Sequence, residues 1–259
     1  ASKLLYSSDK SGVFNLYEVD LNSLKETQVT NSVEESYFAV AYSPLTNEII
    51  YSADKGGNEN SHLYLIRDGE SIDLTPGENT KASFLGWTQD EKEMYILSNT
   101  RNPKYFDLYK IKMDDLSSKM IMENNEGYSY YPLSNNDKYL VMVKRPSRDI
   151  DQMYLLDLES NKTIMISDQE SNFWGQGFDK NDENYYYSTN YDNEFLYLMS
   201  YNIESGNRSL VYKTEWDVTR HFLTKNDKFS VITVNEDAQS KIIVRNNKDS
   251  SIVNFKGIE

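Results

Sequence analysis

Three arginines, Arg101, Arg145 and Arg148, stand just beyond short apolar runs that begin at Met94 and Tyr139. A guanidinium offers a planar fork of donors, so arginines gathered at one place suit bidentate capture of a carboxylate. Glu34 and Glu35 offer the opposite chemistry, since a pair of carboxylates suits an ammonium group. Together, Glu34, Glu35, Arg101, Arg145 and Arg148 are the candidate substrate-binding residues. The alternative for each is a solvated charge in a connecting segment, where such side chains ordinarily sit.

Catalytic chemistry is sparse. The chain has two histidines, His62 and His221, in different segments. A Ser-His-Asp set needs a histidine held by a carboxylate and touching a nucleophile. Neither sequence context announces one, so both histidines read as structural or surface residues. There is no cysteine, which excludes thiol catalysis, disulfides and cysteine-ligated metal. No paired histidine spacing suits zinc. The segment DKNDEN (Asp179 to Asn184) alternates oxygen ligands like part of a calcium loop but lacks the distal glutamate. Turn chemistry explains it as well, because TQDEKE and TKNDK fill the same slot elsewhere. The expectation is no catalytic residue, no metal and no cofactor within this chain.

The elements that must carry these residues repeat. Hydrophobic runs that follow a polar turn begin at Leu4, Ile49, Met94, Tyr139, Tyr185 and Phe229, at steps of 45, 45, 45, 46 and 44 residues. They are short, aromatic or β-branched, and end in polar residues, which are strand signals. A second run follows each, and five of the six contain Leu-Tyr or Met-Tyr, from Leu16-Tyr17 to Leu196-Tyr197. A third run follows (ETQVT, SIDLT, KMIMEN, KTIMIS, RSLVY, SSIVNF). A fourth (SYFAVAYS, SFLGWT, YSYYPLS, NFWGQGF, VTRHFLT) leads into the next unit through turns rich in Asp and Asn. A four-strand unit at constant period predicts an all-β chain forming a six-bladed β-propeller of four-stranded antiparallel blades. The expected units are approximately 1–34, 35–79, 80–126, 127–170, 171–216 and 217–259, in one domain. A β-sandwich also has many short strands, but not six copies at one step.

The ends predict 23 strands, because the first unit lacks its inner strand. The expectation is therefore a ring open or incomplete at its termini, cut from a longer parent chain.

Charge narrows the partners. Of 259 residues, 41 are acidic and 27 basic, a net charge of −14. Nucleic-acid binding needs a basic footprint to displace counterions, so it is not expected. An anionic membrane surface is disfavoured likewise, and no apolar run reaches the ~18 residues of a membrane span.

The repeat, a polar turn ending in Asp/Asn-Asp/Glu-Lys, a β run, a Ser-Asp corner, Leu-Tyr and Leu-Thr, resembles the TolB-like propeller repeat. QVTN (Gln28 to Asn31) and DLTPGE (Asp73 to Glu78) fit its strand ends. WDVTRHFLTKNDKFSVITVNEDAQSKIIV (Trp216 to Val244) is similar to a late blade of the N-terminal propeller of prolyl oligopeptidase-family serine peptidases, in the acylaminoacyl-peptidase and dipeptidyl-peptidase branch. The resemblance implies a propeller that covers an active site, restricts access to short peptides, and packs on an α/β-hydrolase domain carrying the catalytic triad. That domain lies outside this chain, which has no G-x-S-x-G elbow; GESID (Gly69 to Asp73) lacks the second glycine and falls in a predicted hairpin. In dipeptidyl-peptidase relatives a propeller Glu pair grips the substrate amino terminus. NSVEESYF carries Glu34 and Glu35 without the Asp-Trp and Tyr that precede the family's pair. The leading expectation is a non-catalytic, substrate-gating domain with a peptide substrate and a C-terminal hydrolase domain as partners. The alternative is a stand-alone TolB-like platform for protein interaction.

Overall fold

A computed structural model describes residues 2–167 and 171–254. The strands form six antiparallel sheets, each a meander of consecutive strands, and no helix occurs among the described residues. These are the blades of a six-bladed β-propeller. The chain divides into two compact units, Ala1–Gly127 and Tyr128–Glu259, of three sheets each.

In the first unit, blade 1 is β1 (Lys3–Ser8), β2 (Asn15–Asp20) and β3 (Glu26–Gln28). Blade 2 is β4 (Tyr37–Tyr42), β5 (Ile49–Ala53), β6 (His62–Arg67) and β7 (Glu70–Asp73). Blade 3 is β8 (Ala82–Trp87), β9 (Glu93–Ser98), β10 (Asp107–Lys112) and β11 (Ser118–Met122). In the second unit, blade 4 is β12 (Ser129–Tyr130), β13 (Tyr139–Ser147), β14 (Ile150–Asp157) and β15 (Lys162–Met165). Blade 5 is β16 (Phe173–Phe178), β17 (Asn184–Thr189), β18 (Tyr197–Asn202) and β19 (Arg208–Tyr212). Blade 6 is β20 (Asp217–Leu223), β21 (Phe229–Glu236) and β22 (Gln239–Asn246).

The described residues thus hold 22 strands, one fewer than the 23 expected. The difference is the last run, SSIVNF, which contributes only an isolated bridge between Ile252 and Arg245; Phe255 lies outside the described residues. The run YSYYPLS also shrinks, to Ser129–Tyr130. The Tyr131 N–H still reaches the Val141 carbonyl (3.0 Å), but Pro132 comes next, and proline has no N–H to extend a ladder.

The middle strands are apolar on both faces, as a sheet covered on both sides requires. Successive side chains point to opposite faces. Ile49, Tyr51 and Ala53 of β5 accordingly pack with Leu16 of blade 1, while Ile50 packs with Leu63, Leu65, Met94, Ile96 and Ile111 of blades 2 and 3. In the second unit Tyr185 and Tyr187 of β17 pack with Val141, Val143, Met153 and Leu155 of blade 4, and Leu198 of β18 packs with Val218, Ile232 and Val234 of blade 6. Each fully buried aliphatic side chain of this kind stabilises by roughly 1.5–3 kcal/mol.

Two local devices recur. The inner strands β4, β8, β16 and β20 each carry a register shift, at Ala39/Ala41, Phe84/Gly86, Gly175/Gly177 and Val218/Arg220. A bulge increases local twist and re-aims a side chain. At the bulge in β16, Gln176 donates to Ser188 Oγ (3.1 Å) and accepts from the His221 N–H of β20 (2.7 Å), joining blade 5 to blade 6. The turns between first and second strands place a left-handed residue at Glu91, Asp137, Asp182 and Asp227, close to the sequence period. The Asp68-Gly69 turn, with φ of 53° and 82°, joins β6 to β7, so GESID is a hairpin.

Gly175 is required by space. A Cβ there would lie 2.1 Å from Tyr185 Oη and 2.7 Å from Tyr131 Cγ. Gly175→Ala is expected to destabilise by about 1–3 kcal/mol, the cost of overpacking a tight interior. The measurement is the urea midpoint, and an unchanged midpoint contradicts this packing.

Candidate functional site

At the start of β2, β10 and β14 a buried polar side chain ties down the connection leaving that blade. Asn15, fully buried, accepts from the Ser32 N–H (2.7 Å) and Thr30 Oγ1 (3.0 Å) through Oδ1. Asp107, also fully buried, accepts from the Asn124 N–H (2.7 Å). Asp151, 1% exposed, accepts from the Phe173 N–H (3.1 Å), at the start of the next blade. Asp217 serves the mirror purpose by accepting from the Leu196 N–H (2.8 Å) of the preceding blade.

Two candidate arginines belong to this framework. Arg101 Nε and Nη2 donate to Asp107 (2.8 and 2.9 Å), Nη2 also reaches the Asn124 carbonyl (3.0 Å), and Nη1 lies 3.2 Å from Glu123. Arg145 Nε donates to Asp151 (2.6 Å). The buried carboxylates raise both guanidinium pKa values, Asp107 that of Arg101 and Asp151 that of Arg145. Each arginine stands six residues before its aspartate, across the hairpin that joins two strands of its blade.

Arg148 is different. It lies in the turn between β13 and β14, beside Arg145, in the wall of an open pocket of about 610 Å³ within the second unit. Tyr131 after β12, Asn172 and Trp174 of the β16 region, Asn190 and Glu194 of the β17–β18 connection, and Asp217 complete the polar and aromatic lining. Trp174 is 41% exposed. Such a pocket can bind: two guanidinium groups suit a carboxylate, two amides suit a peptide backbone, and an indole face suits an apolar side chain. Sequence reasoning found the arginines but not Asn172, Trp174, Asn190 or Glu194. The available signals were the stretched fifth unit, which places Asn190 and Glu194 in its long connection, and the exposed aromatic of FWGQGF.

Glu34 and Glu35 lie in the connection leading into β4, in the first unit. Glu34 is exposed, whereas the Glu35 carboxylate accepts from the Gly56 N–H (2.8 Å) in the β5–β6 connection. Arg101 is in the first unit too, while Arg145 and Arg148 are in the second.

His62 Nδ1 sits 2.8 Å from Asp73 Oδ2, a pairing across blade 2. His221 is 2% exposed and stacks near Tyr186, with ring centroids 4.7 Å apart. Burial, and to a smaller extent Arg245, lower its pKa to about 4. Its Nε2 is 3.5 Å from Ser230 Oγ, but that hydroxyl donates to Asn247 Oδ1 (2.6 Å) and the histidine has no carboxylate partner among the described residues. The calcium-like segment DKNDEN is spent on turns. Asp182 accepts from the N–H groups of Asn135 and Asn136 and from Asn135 Nδ2, all at 2.8 Å, and Asp179 accepts from Glu183 N–H and Asn184 Nδ2. Among the described residues no cluster of His, Asp and Glu suits a metal ion, and no helix is long and apolar enough to cross a membrane.

Residues 13–257 match the family described as the prolyl oligopeptidase N-terminal beta-propeller domain, and the chain belongs to that family. The dipeptidyl aminopeptidase BIII of Pseudoxanthomonas mexicana is 30% identical over 128 residues, which are 48% of this chain and 18% of that protein. A prolyl endopeptidase structure superposes with a TM-score of 0.76 at 13% identity, covering 99% of this chain and 42% of the other. The TolB structure from Agrobacterium tumefaciens superposes with a TM-score of 0.64 at 11% identity, covering 96% of this chain and 88% of that one. The chain thus spans under half the length of the peptidases it matches.

Two outcomes follow from the site geometry. Arg101→Ala, which removes the counter-charge of the buried Asp107 carboxylate, is expected to lower stability clearly, while Arg148→Ala leaves it nearly unchanged. Chemical denaturation of the two variants measures this, and equal losses contradict it. Because the folded state holds His221 neutral, its contribution is complete above pH 6.5 and declines as pH falls from 6.5 to about 4, where the unfolded chain alone takes up a proton. The loss amounts to about 3 kcal/mol. The wild-type stability should therefore fall more steeply over that window than that of His221→Gln, and parallel pH profiles rule the effect out.

Proposed function

We propose that this chain is the non-catalytic propeller of a prolyl oligopeptidase-type serine peptidase, that it admits short peptides to an active site, and that it packs on an α/β-hydrolase domain outside the chain. The family match over residues 13–257 carries this reading, because that family is by description an N-terminal domain. The dipeptidyl aminopeptidase relative supports the same direction. The sequence has no G-x-S-x-G elbow, and the buried His221 and the Asp-paired His62 fit structural roles. In this reading, the two units form one propeller domain. The pocket bearing Arg145 and Arg148 engages a peptide carboxylate, and Glu34, the exposed member of the acidic pair, is the carboxylate available to an ammonium group. Glu35 and Arg101 then support these contacts through the connections they brace.

A second reading, a free-standing interaction platform, draws on the TolB likeness, in which nearly the whole of the other chain is covered. Joining the propeller to the sequence that follows it in the parent gene separates the two. The peptidase reading expects a downstream serine hydrolase domain, peptide turnover by the joined protein and none by residues 1–259 alone. It also expects Arg148→Glu to raise KM for short peptides about tenfold with little change in kcat. A stop codon directly after Glu259, or turnover by the propeller alone, contradicts it.

A further inference from the structure

Blade 2 departs from a pattern that three other turns keep. In each turn between the first two strands, a hydroxyl residue or Asp opens the turn. Thr88 Oγ1 donates to Asp90 Oδ1 (2.7 Å), Ser134 Oγ to Asn136 Oδ1 (2.8 Å) and Thr224 Oγ1 to Asn226 Oδ1 (3.1 Å), always to the residue two places on. In the turn of blade 2 that place holds Leu45, which has no acceptor. The Ser43 hydroxyl is consequently buried without a partner, in a residue 1% exposed.

The neighbouring position is altered too. In the second unit the N–H of the turn's second residue donates to an aspartate of the next blade's turn, Asn135 to Asp182 and Lys180 to Asp227, both at 2.8 Å. These bonds hold adjacent turns together. Blade 2 has Pro44 there, and proline carries no N–H. The residue that matches Asp182 and Asp227 in blade 3 is Glu91, left-handed like them at φ 61°. Its carboxylate has no hydrogen bond or ion pair among the described residues.

At this corner a cavity of about 660 Å³ lies within the first unit, walled by Ser43, Leu45, Glu91 and Met113 among others; the matching corner of blades 4 and 5, where both bonds are made, holds a smaller one of about 410 Å³. Leu45 is 57% exposed and Met113 is buried, so the wall offers an apolar strip. Five carboxylates and three cations line it. Glu48 is paired with Arg67 and Glu93 with Lys110 (3.3 Å), Asp90 accepts from Thr88 Oγ1 and the Lys92 N–H, and Asp114 accepts from the Asp115 N–H, which leaves Glu91 unspent among the described residues. The wall already receives one guanidinium, because Arg67 Nη2 donates to the Met113 carbonyl (2.5 Å).

We propose that this cavity docks an arginine side chain presented by a peptide segment of a partner protein, its methylene stem on Leu45 and Met113 and its guanidinium on Glu91. A guanidinium is weakly hydrated and keeps its charge beside apolar surface, and its stem covers such surface while the head stays polar. The net charge of −14 draws a cationic segment toward the chain. This inference is independent of the peptidase reading, since it concerns turns of blades 2 and 3 that the carboxylate pocket does not include.

The test is methyl NMR on the full chain, following Leu45 and Met113 during titration with N-acetyl-arginine methylamide, and with the neutral N-acetyl-norleucine methylamide as control. The arginine probe should shift both methyl signals saturably and the control should not. Glu91→Gln should weaken binding about three- to fivefold, the scale of an exposed ion pair. The double variant Pro44→Asn, Leu45→Asn restores the donor and acceptor of the other turns; it should fold, narrow the cavity and lose the shift of the Met113 methyl, which the variant retains. No saturable shift, equal binding of the norleucine probe, or full binding by the folded double variant overturns the proposal. If the double variant does not fold, the Glu91→Gln result decides.

Discussion

A four-stranded sheet with apolar residues on both faces cannot stay in water on either of them, and the rest of this structure follows from that constraint. Its middle strands are written as runs, IIYSA, EMYILS and YLVMV, with few polar interruptions. Alternation then sends one set of side chains to each neighbouring blade. Ile50 and Tyr51 are adjacent in sequence and belong to different hydrophobic clusters. The ladder hydrogen bonds lie within each meander, and single backbone bonds such as Tyr37 N–H to the Phe14 carbonyl (2.8 Å) and Val218 N–H to the Leu196 carbonyl (2.9 Å) tie a blade to the one before it, so the remaining contact between blades is left to side chains and to the chain segments that pass from one to the next.

Those passing segments explain where the polar side chains went. A connection that leaves an outer strand and enters the next inner strand has backbone donors that its own sheet does not use. Asn15, Asp107 and Asp151 supply acceptors for Ser32, Asn124 and Phe173. A buried carboxylate needs a counter-charge as well as donors, since desolvation without one is costly. Arg101 and Arg145 provide it. What this framework leaves over lines the open pockets. Arg148, Trp174 and the amides of Asn172 and Asn190 border one pocket, and Leu45 borders another.

The architecture was legible in the sequence because a blade is a local object. Its strands are consecutive, its turns use Asp, Asn and Gly, and a copy every 45 residues repeats the signal. Short-range competition limited this: Pro132 cut one inner strand to two residues, and the last outer run kept a single bridge. The candidate site was legible only in its charged members. Arg101 and Arg145 each precede an aspartate by six residues, a spacing that carries their pairing, but only the hairpin between them shows that the two ends meet. Asn172, Asn190 and Glu194 come from connections separated in sequence, so no local pattern gathers them. Ser43 looks ordinary in sequence, and its orphaned hydroxyl follows from Leu45 standing where other turns carry an acceptor.

Mutual burial of neighbouring sheets is most directly tested on one blade by itself. Residues 35–79 contain all four strands of blade 2 and both of its apolar faces, without the blades that cover them. Heteronuclear NMR of that peptide should show the narrow amide dispersion of an unfolded chain. A well-dispersed spectrum with the β4–β7 pairing intact contradicts the claim that a blade's order comes from its neighbours.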